Sequence, residues 1–160
     1  MYDSVVMPVV HVFEYLGVLF STKLSFTATC CDLSGKAKNA ALCIMQRFRM
    51  LNNNSLKLFL KLFDSQVQPI AQYGAELWGL DIAAVHSEKV NLFALKKFLE
   101  VEMRTSNDLI YGETNRYLLF VNSAVRCICY WLNVTRMDGS RLPCKAYRML
   151  RELDARGKRN

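Results

Sequence analysis

The sequence lacks any apolar run near the roughly 20 residues that an α-helix needs to span a bilayer. Its first twelve residues, MYDSVVMPVVHV, also lack the basic segment and the uninterrupted apolar core of a secretory signal. We therefore expect no membrane partner, and an intracellular location in the nucleus or the cytoplasm rather than secretion.

Paired acidic residues are missing too. The fourteen Asp and Glu residues are scattered, no Asp-Asp pair occurs, and Glu100 and Glu102 would point to different sides of a helix. A two-metal polymerase or nuclease needs carboxylates close together. The sequence also has no glycine-rich phosphate loop and no Gly-x-Ser-x-Gly elbow. It therefore predicts no catalytic residue, no cofactor and no small-molecule substrate.

Cysteine spacing argues against a metal site. Neither Cys30-Cys31 nor Cys127-x-Cys129 has the two-residue gap that is typical of structural zinc, and only His11 and His86 could complete a site. Without an export signal, free thiols that behave as small apolar side chains are the better interpretation. The sequence predicts no metal ligand among the six cysteines: Cys30, Cys31, Cys43, Cys127, Cys129 and Cys144.

Apolar and basic residues are what the chain does have. Of its 160 residues, 52% are hydrophobic and 22% are charged, which suits one domain with a real core. The net charge is +7, and residues 136–160 carry eight cations against three anions. A basic segment of this kind attracts polyanions such as nucleic acid through counterion release. A solvated basic helix end explains the same pattern.

The apolar periodicity predicts a mainly α fold, a bundle of about five helices with a short N-terminal β-hairpin. Residues 12–21 (VFEYLGVLFS) have the apolar, β-branched and aromatic character of one strand, with residues 5–10 as its only nearby partner. Apolar residues then recur at steps of three and four. This spacing predicts helices over 26–51, over 55–79 with a bend at Pro69, over 83–101, over 118–137 and over 143–154.

Four basic residues border the apolar stripe of the first long helix. At 100° per residue, Lys36 and Arg47 fall on one flank of the stripe, and Lys38 and Arg49 fall on the other. Basic side chains often lie at the edges of a buried face with their charge in water. The same placement suits a helix laid along a nucleic-acid backbone, where Lys and Arg meet phosphates without selecting a sequence. Both interpretations stay open.

Several motifs occur in an order that carries a resemblance. Phe13-Glu14-Tyr15-Leu16-Gly17 is followed by a helix with Lys36 and Arg47, and then by LFDSQVQPIAQYGAELWG over residues 62–79. Nearly the whole chain resembles the region downstream of the palm in reverse transcriptases of LINE-type (non-LTR) retrotransposons. Those proteins have a Phe-x-Tyr-Leu-Gly strand before a Pro-x-x-x-Tyr-Gly-x-x-x-Trp segment, which Pro69, Tyr73, Gly74 and Trp78 match.

The resemblance implies three parts: a primer-grip-like β lead-in over 1–23, thumb-like helices over 24–80, and a helical connector with a basic tail over 81–160. Tyr15, Leu16 and Gly17 would then lie at the primer grip. Lys36, Lys38, Arg47 and Arg49 would contact the backbone of RNA or an RNA–DNA duplex. Binding would be weak and independent of sequence, and the other implied partners are the palm and fingers of the parent polymerase.

The chain also departs from that family. The catalytic aspartates, including the Ala-Asp-Asp turn, lie upstream of the matched region and are absent here, as are a proline near Leu118 and the cysteine-rich end of many relatives. We therefore expect a truncated copy that is inactive alone, with its strand as the edge of a missing palm sheet. A helical protein-interaction module and a translated relic without a selected role remain alternatives.

Overall fold

The computed structural model describes residues 10–23 and 25–156, and 69% of these described residues are helical. A two-stranded antiparallel hairpin precedes the helices, so the predicted mainly α fold with a short β-hairpin is confirmed. The proposed partner strand over 5–10 lies outside the described residues except for Val10, which is not in a strand. The predicted frayed end after Arg156 lies outside them too.

The stretch predicted as one strand is itself the hairpin. β1 (Val12–Tyr15) pairs with β2 (Val18–Ser21), and Tyr15 lies opposite Val18. Leu16 and Gly17 form the turn between them with φ of 50° and 79°. Two successive positive φ values give a two-residue turn whose twist matches the strands. The single-strand prediction was wrong because Leu16 adopts a backbone conformation that residues other than glycine rarely adopt.

α1 (Thr27–Met50) is the longest helix and confirms its prediction. Its buried stripe packs against the helical segments Gln68–Ala71 and Val85–Phe98. Ala37, Ala41 and Ile44 lie at the centre of this stripe. The helix ends where Asn52 adopts a left-handed φ of 48°, in the Asn-Asn-Asn segment expected to stop it. Leu51, the last residue of the predicted helix, is exposed just beyond the observed helix end.

The second helical segment is interrupted, but not at the predicted place. The Ser55 side chain caps α2 (Leu56–Leu62) by accepting a hydrogen bond from the Leu58 amide, as its position predicts. A π-helical turn (Phe63–Val67) follows and leads through Pro69 into α3 (Gln68–Ala71). The wider turn lets the helix continue past a proline that lacks an amide hydrogen. Regular helix stops after Ala71 and resumes as α4 (Ala75–Trp78).

Four further helices complete the fold. A 3₁₀ turn (Ile82–Ala84) leads into α5 (Val85–Phe98). α6 (Asn107–Thr114) lies between two predicted helices and was not predicted. α7 (Leu119–Arg136) and α8 (Leu142–Ala155) confirm their predictions, and Pro143 lies in the first turn of α8.

Aromatic rings form the centre of the core between α1, α2 and α5. Phe59 and Phe98 stack with their ring centroids 4.1 Å apart, and Phe48 meets both of them edge-on. A second buried cluster near the start of α1 includes Cys30, Leu33 and Trp78. The three-part division of the chain stays a prediction, and helices from its second and third parts, α1 and α5, pack against each other.

The inward face of α5 differs from the predicted one. The apolar spacing over residues 83–101 predicts four inward residues: Val85, Leu92, Leu95 and Leu99. Leu95 is buried, Leu92 and Leu99 are half-buried, and Val85 is exposed. The buried face instead carries polar residues beside Val90, Ala94 and Leu95. These are Ser87, Glu88, Asn91 and Lys96.

α7 turns most of its apolar side outward. Its buried residues are Leu119, Ser123 and Val134. The buried Gln72 amide donates hydrogen bonds to the Leu119 carbonyl oxygen at 2.9 Å and to Ser123 Oγ at 3.0 Å, which fixes the polar side of α7 inward. The spacing predicts six residues on the apolar side of this helix, of which Leu132 is half-buried. The other five are 42 to 51% exposed: Phe120, Val121, Val125, Ile128 and Trp131.

The described residues contain no single helix with the length and apolar character of a bilayer span. α6 and α7 together pass that test, but the pair bends by 77° between them.

Candidate functional site

The hairpin turn contacts the break between α3 and α4. Tyr73 lies in that break, and its hydroxyl donates a hydrogen bond to the Leu16 carbonyl oxygen at 2.8 Å. The Tyr73 carbonyl oxygen accepts a hydrogen bond from Trp78 Nε1 at 3.1 Å, and Trp78 is itself buried. A buried tryptophan therefore holds the backbone of the residue that binds the hairpin.

Glycines stand at both sides of this contact. Gly17 and Gly74 have φ of 79° and 69°, a region that favours glycine. A Cβ atom at Gly74 would lie 3.3 Å from Val18 Cγ2, and one at Gly17 would lie 3.7 Å from Tyr73 Cε1. The two sequence motifs that carry the resemblance thus fold into one contact, in which Gly74 allows the close approach.

Thr29 fixes the hairpin to α1. Its buried hydroxyl donates to the Leu19 carbonyl oxygen at 2.9 Å and accepts from the Leu19 amide at 3.1 Å. Phe20 also meets Phe26 edge-on, with ring centroids 6.0 Å apart. β2 is therefore held on α1, whereas the residues of β1 are exposed, and the side chains of Tyr15 and Leu16 remain accessible.

Lys36 has a local partner for its charge. Its Nζ lies 2.7 Å from an Asp32 carboxylate oxygen one turn earlier on α1, and both side chains are exposed. The hydrogen bond to Asp32 raises the pKa of Lys36 above its usual value. Lys36 is therefore a weaker candidate for binding phosphate than its position alone indicates, because a ligand has to compete with Asp32.

Lys38 and Arg49 lie on the flank of α1 that faces α5. The Lys38 ammonium lies over the Phe93 ring, 5.5 Å from its centroid. Arg49 lines a surface pocket of about 370 Å³ at the ends of α1 and α5, together with Lys97 and Glu100. The exposed Lys97 adds a cation beside Arg49 that the spacing of basic residues along α1 does not predict.

Lys96, next to Lys97, is buried and shapes this pocket. Its ammonium donates hydrogen bonds to the carbonyl oxygens of Met103 at 3.0 Å and Thr105 at 2.7 Å, and to Asn107 Oδ1 at 2.7 Å. These three acceptors belong to the loop before α6 and to the first residue of α6. The buried charge thus holds the loop that forms one wall of the pocket.

Arg47 lies on the opposite flank, over α2. It lines a groove of about 180 Å³ whose other walls include Leu58 and Leu62. The four predicted cations therefore do not meet in one cluster. They border the exposed face of α1 from both sides, as the helical wheel predicts.

The C-terminal helix carries a further set of cations. α8 buries Cys144 against α7, and Trp131 and Tyr147 meet edge-on with centroids 6.5 Å apart. In the turn before α8, a hydrogen bond from the Ser140 hydroxyl lowers the pKa of Asp138. The exposed basic residues of this region are Arg141, Lys145, Arg148, Arg151 and Arg156.

Glu88 organises the junction of α5, α6 and α7. Its carboxylate accepts hydrogen bonds from the Tyr111 hydroxyl, from Asn91 Nδ2 at 3.1 Å and from the Phe120 amide at 3.2 Å. The Phe120 amide lies in the first turn of α7, so Glu88 caps that helix from a neighbouring one. Burial, and then the hydrogen bond to Glu88, raise the pKa of Tyr111.

Within residues 10–23 and 25–156, no group of three or more His, Cys, Asp or Glu residues is placed to hold a metal ion. No family model, curated protein or solved structure matches this chain.

Proposed function

We propose that this chain is the primer-grip, thumb and connector region of a LINE-type reverse transcriptase, an RNA-directed DNA polymerase. The observation that carries the proposal is the hydrogen bond between Tyr73 and Leu16, which are 57 positions apart in the sequence. The resemblance rests on the Phe-x-Tyr-Leu-Gly strand and the Pro-x-x-x-Tyr-Gly-x-x-x-Trp segment. If the two motifs serve one structural role, they should contact each other, and the hydrogen bond joins them. The catalytic acids of such a polymerase belong to its palm.

The activity proposed for this region is weak, sequence-independent binding of RNA or an RNA–DNA duplex. Arg47 and Arg49 are exposed near the end of α1, on its two flanks, and Lys97 extends the basic surface beside Arg49. A nucleic-acid backbone lying across the exposed face of α1 would meet cations from both edges. Such contacts position the duplex without reading its bases.

Palm and fingers are the proposed protein partners. Phe13 and Tyr15 are exposed on one face of β1 and provide an apolar surface on which a palm sheet can pack. An enzyme that copies RNA acts inside the cell, in the nucleus or the cytoplasm, and we propose the same location for this chain.

Salt-dependent duplex binding tests the proposal. Fluorescence anisotropy with a labelled RNA–DNA duplex, between about 50 and 200 mM salt, should show affinity falling steeply. Replacing Lys36, Lys38, Arg47 and Arg49 by Gln should reduce the slope of log K against log salt by about 3 to 4, since each phosphate contact contributes about 0.9.

The matched control removes four other exposed cations, so that the net charge falls equally. These are Lys57, Lys61, Lys89 and Arg104, again replaced by Gln. The control should retain most of the wild-type slope. A flat salt response of the wild type, or equal losses in the two variants, would contradict binding along α1.

A protein-interaction module is the second candidate, and the outward apolar stripe of α7 favours it. Phe120, Ile128 and Trp131 are each nearly half exposed, which is unusual for large apolar side chains in one row. A protein partner that stays bound to the chain after nuclease treatment, combined with absent duplex binding, would favour this candidate. Aggregation on size-exclusion chromatography would instead favour a translated relic.

A further inference from the structure

Two reactive side chains from distant parts of the sequence meet at the surface. Cys31 lies in the second turn of α1 and His86 in the first turn of α5, 55 positions apart. The Cys31 Sγ atom is 3.6 Å from His86 Nδ1 and 3.7 Å from Nε2. Cys31 is exposed and His86 is half-exposed, so both can be reached from solvent.

We propose that Cys31 and His86 form a site of covalent modification by soft electrophiles such as α,β-unsaturated carbonyl compounds. The proposal is independent of nucleic-acid binding, because neither residue belongs to the cations that border the exposed face of α1. It concerns the thiol as a nucleophile and the imidazole as its base.

The reaction is an addition in which His86 carries the proton. A thiolate is the reactive form of cysteine, and a neighbouring imidazole can accept the thiol proton. The Cys31 sulfur then forms a bond to the β-carbon of the electrophile while its carbon–carbon π bond breaks. The freed electron pair moves to the α-carbon, which takes the proton back from the imidazolium. No group leaves and no external oxidant or reductant is needed.

The neighbouring thiol does not compete for the electrophile. Cys30 is buried in the cluster around Trp78, and burial, together with the Asp81 carboxylate, raises its pKa to about 12. Cys30 therefore stays a protonated, inaccessible thiol at neutral pH. Of the adjacent pair, only Cys31 combines exposure with a nearby base.

The chain supplies its own controls. Cys43 and Cys129 are also exposed helical cysteines. In the part of the chain that the structure describes, neither has an imidazole within hydrogen-bonding distance. A difference in reactivity between Cys31 and these two thiols thus separates the effect of His86 from simple exposure.

The test is a short pulse of N-ethylmaleimide on the full chain at pH 7, followed by peptide mass spectrometry. We expect Cys31 to react about 10-fold faster than Cys43 and Cys129. His86→Asn should bring Cys31 down to their rate and leave their own rates unchanged. In denaturing urea, the three wild-type thiols should react at similar rates, which checks the role of the fold without any substitution.

Equal rates for the three thiols in the folded wild type would overturn the proposal. It would also be overturned if Cys31 were faster but kept its full rate in a folded His86→Asn variant, since exposure alone would then explain the difference.

Discussion

The Tyr73 hydroxyl binds the Leu16 carbonyl oxygen and thereby joins the hairpin turn to the break between α3 and α4. We predict that Tyr73→Phe loosens the hairpin without unfolding the helices. A lost hydrogen bond at an exposed site costs about 0.5–1 kcal/mol. The amide of Leu19, which binds Thr29 Oγ1, should exchange its hydrogen about 2- to 5-fold faster.

The control for this change is Tyr117→Phe, which removes a hydroxyl from a side chain that is 84% exposed. It should leave exchange at Leu19 unchanged. If Tyr73→Phe also leaves it unchanged, the contact does not stabilise the hairpin.

Gly79 lies at a close approach between the end of α4 and α7, and we predict that Gly79→Ala is strongly destabilising. An added Cβ atom would lie 2.1 Å from the Ser123 carbonyl oxygen and 2.6 Å from the Ala75 carbonyl oxygen. Both are backbone atoms, so α7 must move away and the end of α4 must also shift, at a cost of about 3 kcal/mol or more. Urea denaturation measures the loss.

Gly35→Ala is the matched control, since a Cβ atom there meets nothing within 4 Å on the exposed side of α1. It should stabilise the protein by about 0.5–1 kcal/mol, because alanine favours a helix more than glycine does. Equal effects of the two substitutions would show that α4 and α7 are not in close contact.

The adjacent lysines of α5 should differ sharply in their effect on stability. Lys96→Met removes the ammonium that binds the two loop carbonyl oxygens and Asn107, and we expect a loss of about 2–3 kcal/mol. Lys97→Met changes an exposed side chain and should shift the free energy of unfolding by less than about 0.5 kcal/mol. Chemical denaturation of both variants checks this, and similar values would contradict the buried position of Lys96.

Ionisation of Tyr111 should lower the stability of the folded chain at alkaline pH. Its pKa is raised in the folded chain, mainly by burial and then by Glu88, above the value of about 10 expected when unfolded. Tyr111 therefore makes its full contribution to the free energy of unfolding below about pH 10. This contribution is lost as the pH rises further, because the tyrosine of the unfolded chain ionises first. Between pH 9 and 11, the wild type should lose stability relative to Tyr111→Phe. Parallel pH profiles would contradict this assignment.

Most of the helices could be predicted because their signals are local. The stripe of α1 recurs over its whole length, Ser55 caps α2 through the nearby Leu58 amide, and Pro143 marks the first turn of α8. α6 gave no such signal, since only Ile110 and Thr114 are buried in its eight residues. Two buried positions are too few to establish a helical period.

The orientation of α7 could not be read from its sequence. Amphipathic spacing identifies which face is apolar, but not which face another helix covers. In this protein the polar pair Gln72 and Ser123 decides the orientation, and these two residues are 51 positions apart. The same limit applies to the candidate site: the flanks of α1 follow from its period, whereas the Cys31–His86 pair depends on how α1 and α5 pack.

The π-helical turn from Phe63 to Val67 sets the direction, about the helix axis, in which the following side chains of the same segment point. A turn of this kind contains one residue more than regular α-helix would use, and one residue corresponds to about 100° of rotation. Deleting a single residue there would restore uniform helix while swinging Tyr73 away from Leu16. The five residues from Phe63 to Val67 thus set the register between the hairpin and the middle of the chain.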